Sequence, residues 1–387
     1  MLIKNYQINP YLIGAFTAKL IPFLLAPKLI FLLGATDYGN FFFYLVKVNF
    51  LSILISLGFG QVVFRVKFEK NISTDDFSIL FFVMFLFSIG VSFILYLFGI
   101  FDIKFLLLLV MRFICSANYN ILYADRREWR YLLLLISEQI VLYCTLYFSL
   151  LYDFGGDFSF PILLSLIPGV VVGLNFMRVG RIHAKILYDI VKLCISVIPY
   201  NISSVLIDYL IRNVLAVSGY FLLTSYTFLQ QGSSLFSIYI SSYRQKIIPN
   251  IYKDWQDSDN VYFSRDILKY IFYIFKLFPV GVLLTYIMII FYLKSPFDKS
   301  ILFLISLQIL YLILLELNSL VQIAFDFQKK MFIYSICTII SGLGLAIILS
   351  HLNSVLMYYM VALILFQCIF LCISLYVFKK SASSSSI

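Results

Sequence analysis

Apolar runs long enough to cross a lipid bilayer follow one another along this chain with only short interruptions. A spanning helix needs about 20 apolar residues, and the runs between charged or turn-forming clusters give about twelve candidate spans. Hydrophobic residues occupy 62% of the 387 positions and charged residues only 12%, whereas a soluble domain is about half apolar and a quarter charged. The composition excludes a soluble domain, a disordered chain and a secreted disulfide scaffold. It predicts an all-α polytopic membrane protein.

The spans are expected to form two related bundles. Pro22 and Pro27 in the first span and Pro199 in the seventh would bend two helices that are six spans apart. We therefore expect an N-terminal six-helix lobe (1–192), a C-terminal six-helix lobe (193–380) and a polar tail (381–387). Only Ser218-Gly219 separates the seventh and eighth runs, so this stretch is either two helices or one helix plus a re-entrant segment. The spans lie near residues 10–33, 38–64, 78–99, 104–124, 131–152, 160–177, 193–218, 220–242, 270–292, 300–324, 332–350 and 355–378.

Basic residues between the spans are unevenly distributed. Of the 29 Lys and Arg residues, 20 fall in loops on the side of the N-terminus, and only Lys104, Lys294 and Lys299 fall in loops on the other side. Cytoplasmic loops carry such an excess, so both termini are predicted to be cytoplasmic. The longest loop, residues 243–269, lies on the same side. No large outward loop remains for a catalytic domain.

Nine charged residues fall inside predicted spans, where a charge costs at least about 2.5 kcal/mol unless it faces protein or water. Lys19 and Lys47 lie roughly 14 and 15 Å from the nearer end of their spans, whereas Lys28 and Lys276 are close enough to an end to extend toward water. The candidates for binding an anionic substrate in a cationic cavity are Lys19, Lys47, Arg112, Arg212 and Lys28. The candidates for coupling or ion pairing are Asp208, Glu138 and Glu316.

The acids inside the spans each have two interpretations. Asp208 and Arg212 are four residues apart, so they either pair on one helix face or line a cavity and bind substrate. Glu138 and Glu316 either relay protons or neutralise basic neighbours, and we favour neutralisation. Because the basic groups outnumber the acids, the substrate is expected to be an anion carrying phosphate.

Residues for common enzymatic chemistry are scarce. His183 and His351 are the only histidines, and the chain contains neither a G-x-x-x-x-G-K-[ST] motif nor a dinucleotide-binding glycine motif. The sequence therefore predicts a transporter with no catalytic residues, cofactor or metal. Its basic excess is interpreted as a topology signal rather than as nucleic-acid binding.

Two segments carry a family resemblance. The first, LGATDYGNFFFYLVKVNFLSILISLGFGQVVFR at positions 33–65, contains Leu33-Gly34, Tyr38-Gly39, Ser56, Leu57-Gly58 and a terminal Arg65. The second, SSYRQKIIPNIY at positions 241–252, places a proline after a basic turn. The first segment resembles the first-to-second helix signature of Wzx-type polysaccharide flippases, which belong to the multidrug/oligosaccharidyl-lipid/polysaccharide exporter superfamily. The second resembles the end of helix eight in the same family.

The resemblance implies a flippase that moves undecaprenyl-diphosphate-linked oligosaccharide repeat units from the cytoplasmic to the periplasmic leaflet. Such a protein would work by alternating access between two six-helix lobes in the bacterial inner (plasma) membrane. It would serve the biosynthesis of O-antigen in lipopolysaccharide, or of another surface polysaccharide. Its partners would be the lipid-linked oligosaccharide, membrane lipid, and a polysaccharide polymerase and glycosyltransferases, with no nucleic acid.

Two alternatives stay open at the level of sequence. A multi-spanning polysaccharide polymerase would need a large outward loop with catalytic basic residues, whereas the long loop here is predicted to face inward. A drug or metabolite antiporter of the same fold would be expected to use buried acids rather than several buried lysines and arginines.

Overall fold

Helices account for the regular structure in the described part of the chain. The computed structural model describes residues 10–60, 62–63, 74–125, 127–152, 157–180, 183–218, 223, 226–227, 229–233, 236, 240, 272–276, 278–283, 285–287, 299–324, 361, 364–365, 367–369 and 371–372. The helices are α1 (Pro10–Ile55), α2 (Thr74–Leu97), α3 (Ile103–Ala124), α4 (Glu128–Leu151), α5 (Ser159–Leu174), α6 (Ala184–Ser218) and α7 (Lys299–Ala324).

Within the described residues, five stretches of helix are long and apolar enough to cross a membrane. They are Phe16–Gly34, Thr36–Ile55, Asp75–Leu97, Ile103–Leu122 and Glu128–Leu151. Shorter apolar helices cover Ser159–Leu174, Phe278–Ile287 and Leu302–Leu315. The predicted third to sixth spans agree with α2 to α5 within a few residues, while most of the eighth, eleventh and twelfth lie outside the described residues.

The first two predicted spans are joined without a loop. Helix α1 is interrupted only at Gly34, whose φ of 80° and ψ of 161° are not helical. Glycine adopts this backbone conformation without the steric penalty that a Cβ would bring. Gly34 therefore divides α1 into a first arm, Phe16–Gly34, and a second arm, Thr36–Ile55.

The second arm ends earlier than the sequence predicted. The Gly58 N–H donates to the Ile53 carbonyl at 2.8 Å and the Leu57 N–H donates to that of Leu54 at 3.1 Å, which is the Schellman pattern of a helix end. Leu57 and Gly58 both have positive φ, 50° and 66°. The left-handed turn at Leu57-Gly58 thus breaks the helix inside the segment that carries the family resemblance.

The chain divides into two compact units, Met1–Arg212 and Asn213–Ile387. The division falls within α6, because its first part packs into the core of the first unit through Ile190, Leu193 and Cys194. In that core, the Phe59 ring lies 6.2 Å from Phe81, centroid to centroid. The predicted lobe boundary after residue 192 stays a prediction.

Helices α3 and α4 run antiparallel, because Arg112 meets Glu138 while Tyr119 meets Tyr131. At one end of the first unit, Lys104 at the start of α3 pairs with Asp157 before α5, at 3.4 Å. At the other end, Arg178 after α5 pairs with Asp75 at the start of α2. These ties fit helices that alternate in direction, as expected for successive membrane spans.

Small residues let α5 approach α3 closely. Gly169 and Gly173 form a G-x-x-x-G pair, the spacing that brings helices together in membranes. A Cβ built on Gly169 would overlap the Cys115 Sγ, and one on Gly173 would lie 2.5 Å from the Ile114 Cγ2. The approach is accompanied by a bond from the Asn118 amide to the Gly169 carbonyl, 3.2 Å.

Gly169→Ala is expected to destabilise the protein by about 1–3 kcal/mol, because a methyl group there overlaps Cys115. The midpoint of thermal unfolding of the purified chain measures this change. Cys115→Ala added to Gly169→Ala should recover most of the loss. Gly90→Ala in α2 is the matched control, because a Cβ there has no atom within 4 Å, and an equal loss at Gly90 would contradict the packing explanation.

Asp157 accepts hydrogen bonds from the first turn of α5. Its Oδ1 accepts from the Ser159 N–H at 2.9 Å and from the Ser159 hydroxyl. These hydrogen bonds with Ser159, together with Lys104, hold the pKa of Asp157 below its usual value. A carboxyl with a lowered pKa contributes stability above its unfolded pKa, and that contribution is lost as the pH falls through its folded pKa.

We therefore expect Asp157→Ala to weaken the start of α5 by about 1 kcal/mol at neutral pH. Faster amide hydrogen exchange in the peptide that begins at Ser159 is the readout. Asp157→Asn keeps an oxygen acceptor and should lose less protection. The difference in protection between the wild-type chain and Asp157→Asn should begin to shrink below about pH 4 and disappear as the pH falls through the lowered folded pKa of this carboxyl. A difference that does not change with pH would be inconsistent with titration of this carboxyl.

Candidate functional site

An ion pair joins the middle of α3 to the middle of α4. One terminal nitrogen of the Arg112 guanidinium lies 2.6 Å from the Glu138 Oε1. The Glu138 side chain is 9% exposed and that of Arg112 is 26% exposed, so both are largely buried. A charged carboxylate is retained in such a place only with a partner. The interpretation of Glu138 as the neutraliser of a basic neighbour agrees with this contact.

Asn49 and Tyr119 complete the polar network around this pair. The Arg112 Nε donates to the Asn49 Oδ1 at 2.6 Å, which brings in the second arm of α1. The Tyr119 hydroxyl donates to the Glu138 Oε2. The sequence analysis missed both residues. The spacing of Tyr119, seven residues after Arg112, places them on one face of α3 and could have indicated it.

A second ion pair lies on α6. The Arg212 Nε is 3.2 Å from the Asp208 Oδ2, and Arg212 is 4% exposed. The spacing of four residues in the sequence predicts an ion pair between Asp208 and Arg212 as one of two interpretations. Between them, Tyr209 stacks on Phe43 and Phe50 of the second arm, with centroids 5.5 and 5.4 Å away. These rings fix α6 beside the second arm of α1.

Lys19 on the first arm has no hydrogen-bond or ion-pair partner among the described residues. Its residue is exposed, and it interacts electrostatically with Arg112, Asp208 and Glu138. In the part of the chain that the structure describes, no acceptor lies within hydrogen-bonding or ion-pair distance of its ammonium. Lys19 therefore lies within electrostatic range of charged groups on α3, α4 and α6.

The structure thus brings together five of the eight candidates from the sequence. We call them the charged cluster: Lys19, Arg112, Glu138, Asp208 and Arg212. Three positive and two negative side chains leave it with a formal charge of +1. Because each carboxylate is paired with an arginine, the excess charge resides on Lys19.

Lys28 and Lys47 lie apart from the charged cluster. The Lys28 ammonium is 4.8 Å from the centroid of the Tyr147 ring on α4. The Lys47 ammonium is 5.2 Å from that of Phe105 and 5.9 Å from that of Phe101, beside the start of α3. The Lys47 side chain therefore extends toward the start of α3, near one end of the spans. Its position along the second span had predicted a location near the middle of the membrane.

Glu316 lies on α7, in the second unit, and its side chain is outside the described residues. The roles of all eight candidate residues in binding or coupling stay predictions. The helix-eight segment that carries the second resemblance, residues 241–252, is likewise outside the described residues.

Solved transporter structures share this fold over nearly the whole chain. A MATE structure in complex with Br-NRF is 14% identical, covers 96% of this chain and 94% of its own, and gives a TM-score of 0.63. The lipid II flippase MurJ, in an inward closed conformation, is 14% identical, with coverage of 95% and 87% and a TM-score of 0.59. A MOP-superfamily transporter from Pyrococcus furiosus is 13% identical, with 94% coverage of both chains and a TM-score of 0.59.

The chain has the fold of the MOP-superfamily transporters. The prediction of an all-α polytopic membrane protein with an exporter-superfamily fold is thereby confirmed. No protein-family model matches the sequence, and no curated protein matches it. The likeness to the solved structures, all at low identity, shows the fold in which the charged cluster lies and does not identify the substrate.

Breaking the Arg112–Glu138 pair from one side should be costly, because it leaves a buried charge without its partner. Glu138→Leu is expected to destabilise the protein by about 3 kcal/mol, and the double variant Arg112→Leu, Glu138→Leu by much less. Chemical unfolding in detergent measures both. The exposed pair Lys104–Asp157 is the control: Lys104→Leu should cost less than about 1 kcal/mol. Additive losses in the Arg112–Glu138 double variant would show that the pair is not coupled.

Proposed function

We propose that this protein is a flippase that moves undecaprenyl-diphosphate-linked oligosaccharide repeat units across the bacterial inner membrane, from the cytoplasmic to the periplasmic leaflet. The product would be O-antigen or another surface polysaccharide. The observation that carries the proposal is Lys19, a cation within a spanning arm that has no ion-pair partner among the described residues and lies beside the two ion pairs of the charged cluster.

An anionic head group supplies the negative charge that would balance Lys19. A diphosphate linked at both ends carries two negative charges, and the charged cluster has an excess of one positive charge on Lys19. The cost of keeping an ammonium at membrane depth falls when an anion binds it, so binding is favourable there and weaker in water. The polyprenyl tail can stay in lipid while the polar head passes the cluster, and no covalent chemistry is needed.

The proposed mechanism of transport is alternating access. In the proposed cycle, lobes 1–192 and 193–380 expose the cluster to the cytoplasm and then to the periplasm, with both termini cytoplasmic. A ligand shifts such an equilibrium only by the difference in its affinity for the two states. Support comes from the MOP-superfamily fold and from the neighbour that is itself a lipid II flippase. Polymerase and glycosyltransferase partners would respectively consume the product and supply the substrate.

A drug or metabolite antiporter is the second candidate, since several structural neighbours are MATE transporters, one of them a multidrug transporter. A site for a cationic drug needs a carboxylate that is free to meet it. In the described spans of the first unit, Glu138 is occupied by Arg112 and Tyr119, and Asp208 by Arg212. This pairing favours an anionic substrate. A polysaccharide polymerase is disfavoured, because the fold is that of transporters.

Lys19→Gln should reduce translocation at least tenfold, because it removes the available cation; a hydrogen bond to a charged group contributes about 1.5–3 kcal/mol. The assay reconstitutes the full chain in liposomes and follows the appearance of undecaprenyl-diphosphate-linked oligosaccharide on the opposite face. Lys19→Arg should retain most of the rate. Lys276→Gln, which removes another exposed lysine from a predicted span, is the matched control.

Wild-type translocation by Lys19→Gln would refute the proposed binding site. Export of a cationic dye from the same liposomes, with no movement of the lipid-linked oligosaccharide, would refute the flippase function and support the antiporter function. The two results are independent, since the first tests a residue and the second tests the substrate class.

A further inference from the structure

The Arg112 side chain is partly exposed, and its guanidinium is paired with the more deeply buried carboxylate of Glu138. Its side chain is 26% exposed, whereas that of Glu138 is 9% exposed. Arg112 is therefore the more accessible member of the pair. Arg112 has a planar, forked set of donors that suits phosphate oxygens. In the structure, two of those donors are engaged by Glu138 and Asn49.

A phosphate oxygen and the Glu138 carboxylate would compete for the same guanidinium. Both are anionic acceptors, and placing them together beside Arg112 would add their mutual repulsion. A head group that binds Lys19 and also reaches the remaining donors of Arg112 places a second anion beside the guanidinium and thereby weakens the Arg112–Glu138 contact. The Tyr119 hydroxyl, which donates to the other Glu138 oxygen, remains to hold the carboxylate when that contact weakens.

We infer that Glu138 is a positioning residue that competes with the bound diphosphate for Arg112 and thereby limits how tightly the head group is held. This inference rests on the proposed function. When the head group leaves, Glu138 again pairs with Arg112, so the empty site has no second unpaired cation. A transporter must release what it binds, and a site with two uncompensated cations would retain a diphosphate too long for rapid turnover.

Asn49 and Tyr119 limit the movement that this exchange needs. Asn49 holds the Arg112 Nε from the second arm, and Tyr119 holds Glu138 from α3 itself. Each of the two charged groups thus keeps one hydrogen-bond partner when the contact between them is weakened. The exchange then requires a shift of side chains and not a separation of α3 from α4.

The test compares binding with transport in Glu138→Gln. Glutamine keeps an oxygen that can accept from Arg112 and removes the negative charge. With the full chain in phosphatidylcholine nanodiscs and farnesyl diphosphate as the probe, Glu138→Gln should bind about tenfold more tightly than wild type. Its multiple-turnover translocation of lipid-linked oligosaccharide should be several-fold slower. A purely structural role would weaken binding and slow transport together.

Two variants act as controls. Glu138→Asp keeps the charge and should return affinity and rate toward those of wild type. Glu128→Gln removes a negative charge from the start of the same helix, outside the charged cluster, and should leave the affinity for farnesyl diphosphate within about twofold of wild type. In the wild-type chain, farnesyl diphosphate should also shift a carboxylate infrared band that Glu138→Asp displaces, a readout that does not depend on folding of the glutamine variant.

The outcomes separate this inference from the proposed function. If wild type binds farnesyl diphosphate and Lys19→Gln weakens binding, but Glu138→Gln binds equally or less tightly, the competition at Arg112 is refuted while the proposed function stands. If neither wild type nor Lys19→Gln binds the probe and no lipid-linked oligosaccharide is moved, the proposed function is refuted and the inference with it. Tighter binding with slower turnover in Glu138→Gln supports both.

Discussion

The ion pair between Arg112 and Glu138 is the interaction on which the arrangement of the first unit depends. Hydrocarbon cannot solvate either charge, so each must face protein, and each must face the other. This requirement determines the rotation of α3 and α4 about their axes. Asn49 then brings the second arm of α1 to the same point. One charged contact thus sets the relative register of three spans.

Close packing of small and aromatic residues holds together the helices that the ion pair does not join. Helices in lipid gain little from hiding apolar side chains from one another, so their association depends on fit and on hydrogen bonds. Gly169 and Gly173 allow α5 to lie directly on Cys115 and Ile114 of α3. Stacked aromatic rings do the same for α6, where Tyr209 packs against the second arm of α1 and carries the neighbouring Asp208–Arg212 pair with it. The charged cluster is therefore surrounded by closely packed apolar contacts.

Local features of this architecture could be predicted from the sequence and long-range ones could not. The class of fold follows from the apolar runs, and the Asp208–Arg212 contact was one of two interpretations because four residues make about one helical turn. The partner of Arg112 lies on another helix, and which faces of two helices meet is decided by packing. The early end of the second arm was missed for a related reason, since a leucine in the left-handed region is unusual. The direction in which Lys47 extends depends on Phe101 and Phe105, which only the fold places beside it.

Depth along a span is a poor guide to which cation can bind an anion, and pairing is a better one. Five basic residues of the first unit lie within predicted spans, yet their surroundings differ. Arg112 and Arg212 are neutralised by carboxylates, and the Lys28 and Lys47 ammonium groups lie over aromatic rings. An aromatic face attracts a cation but does not cancel its charge, and these two lysines are removed from the cluster by position. Lys19 remains beside both ion pairs, with a charge that neither of them balances. A single unbalanced cation next to an arginine held by a replaceable carboxylate can bind an anion and also release it, which a fixed array of free cations would do poorly.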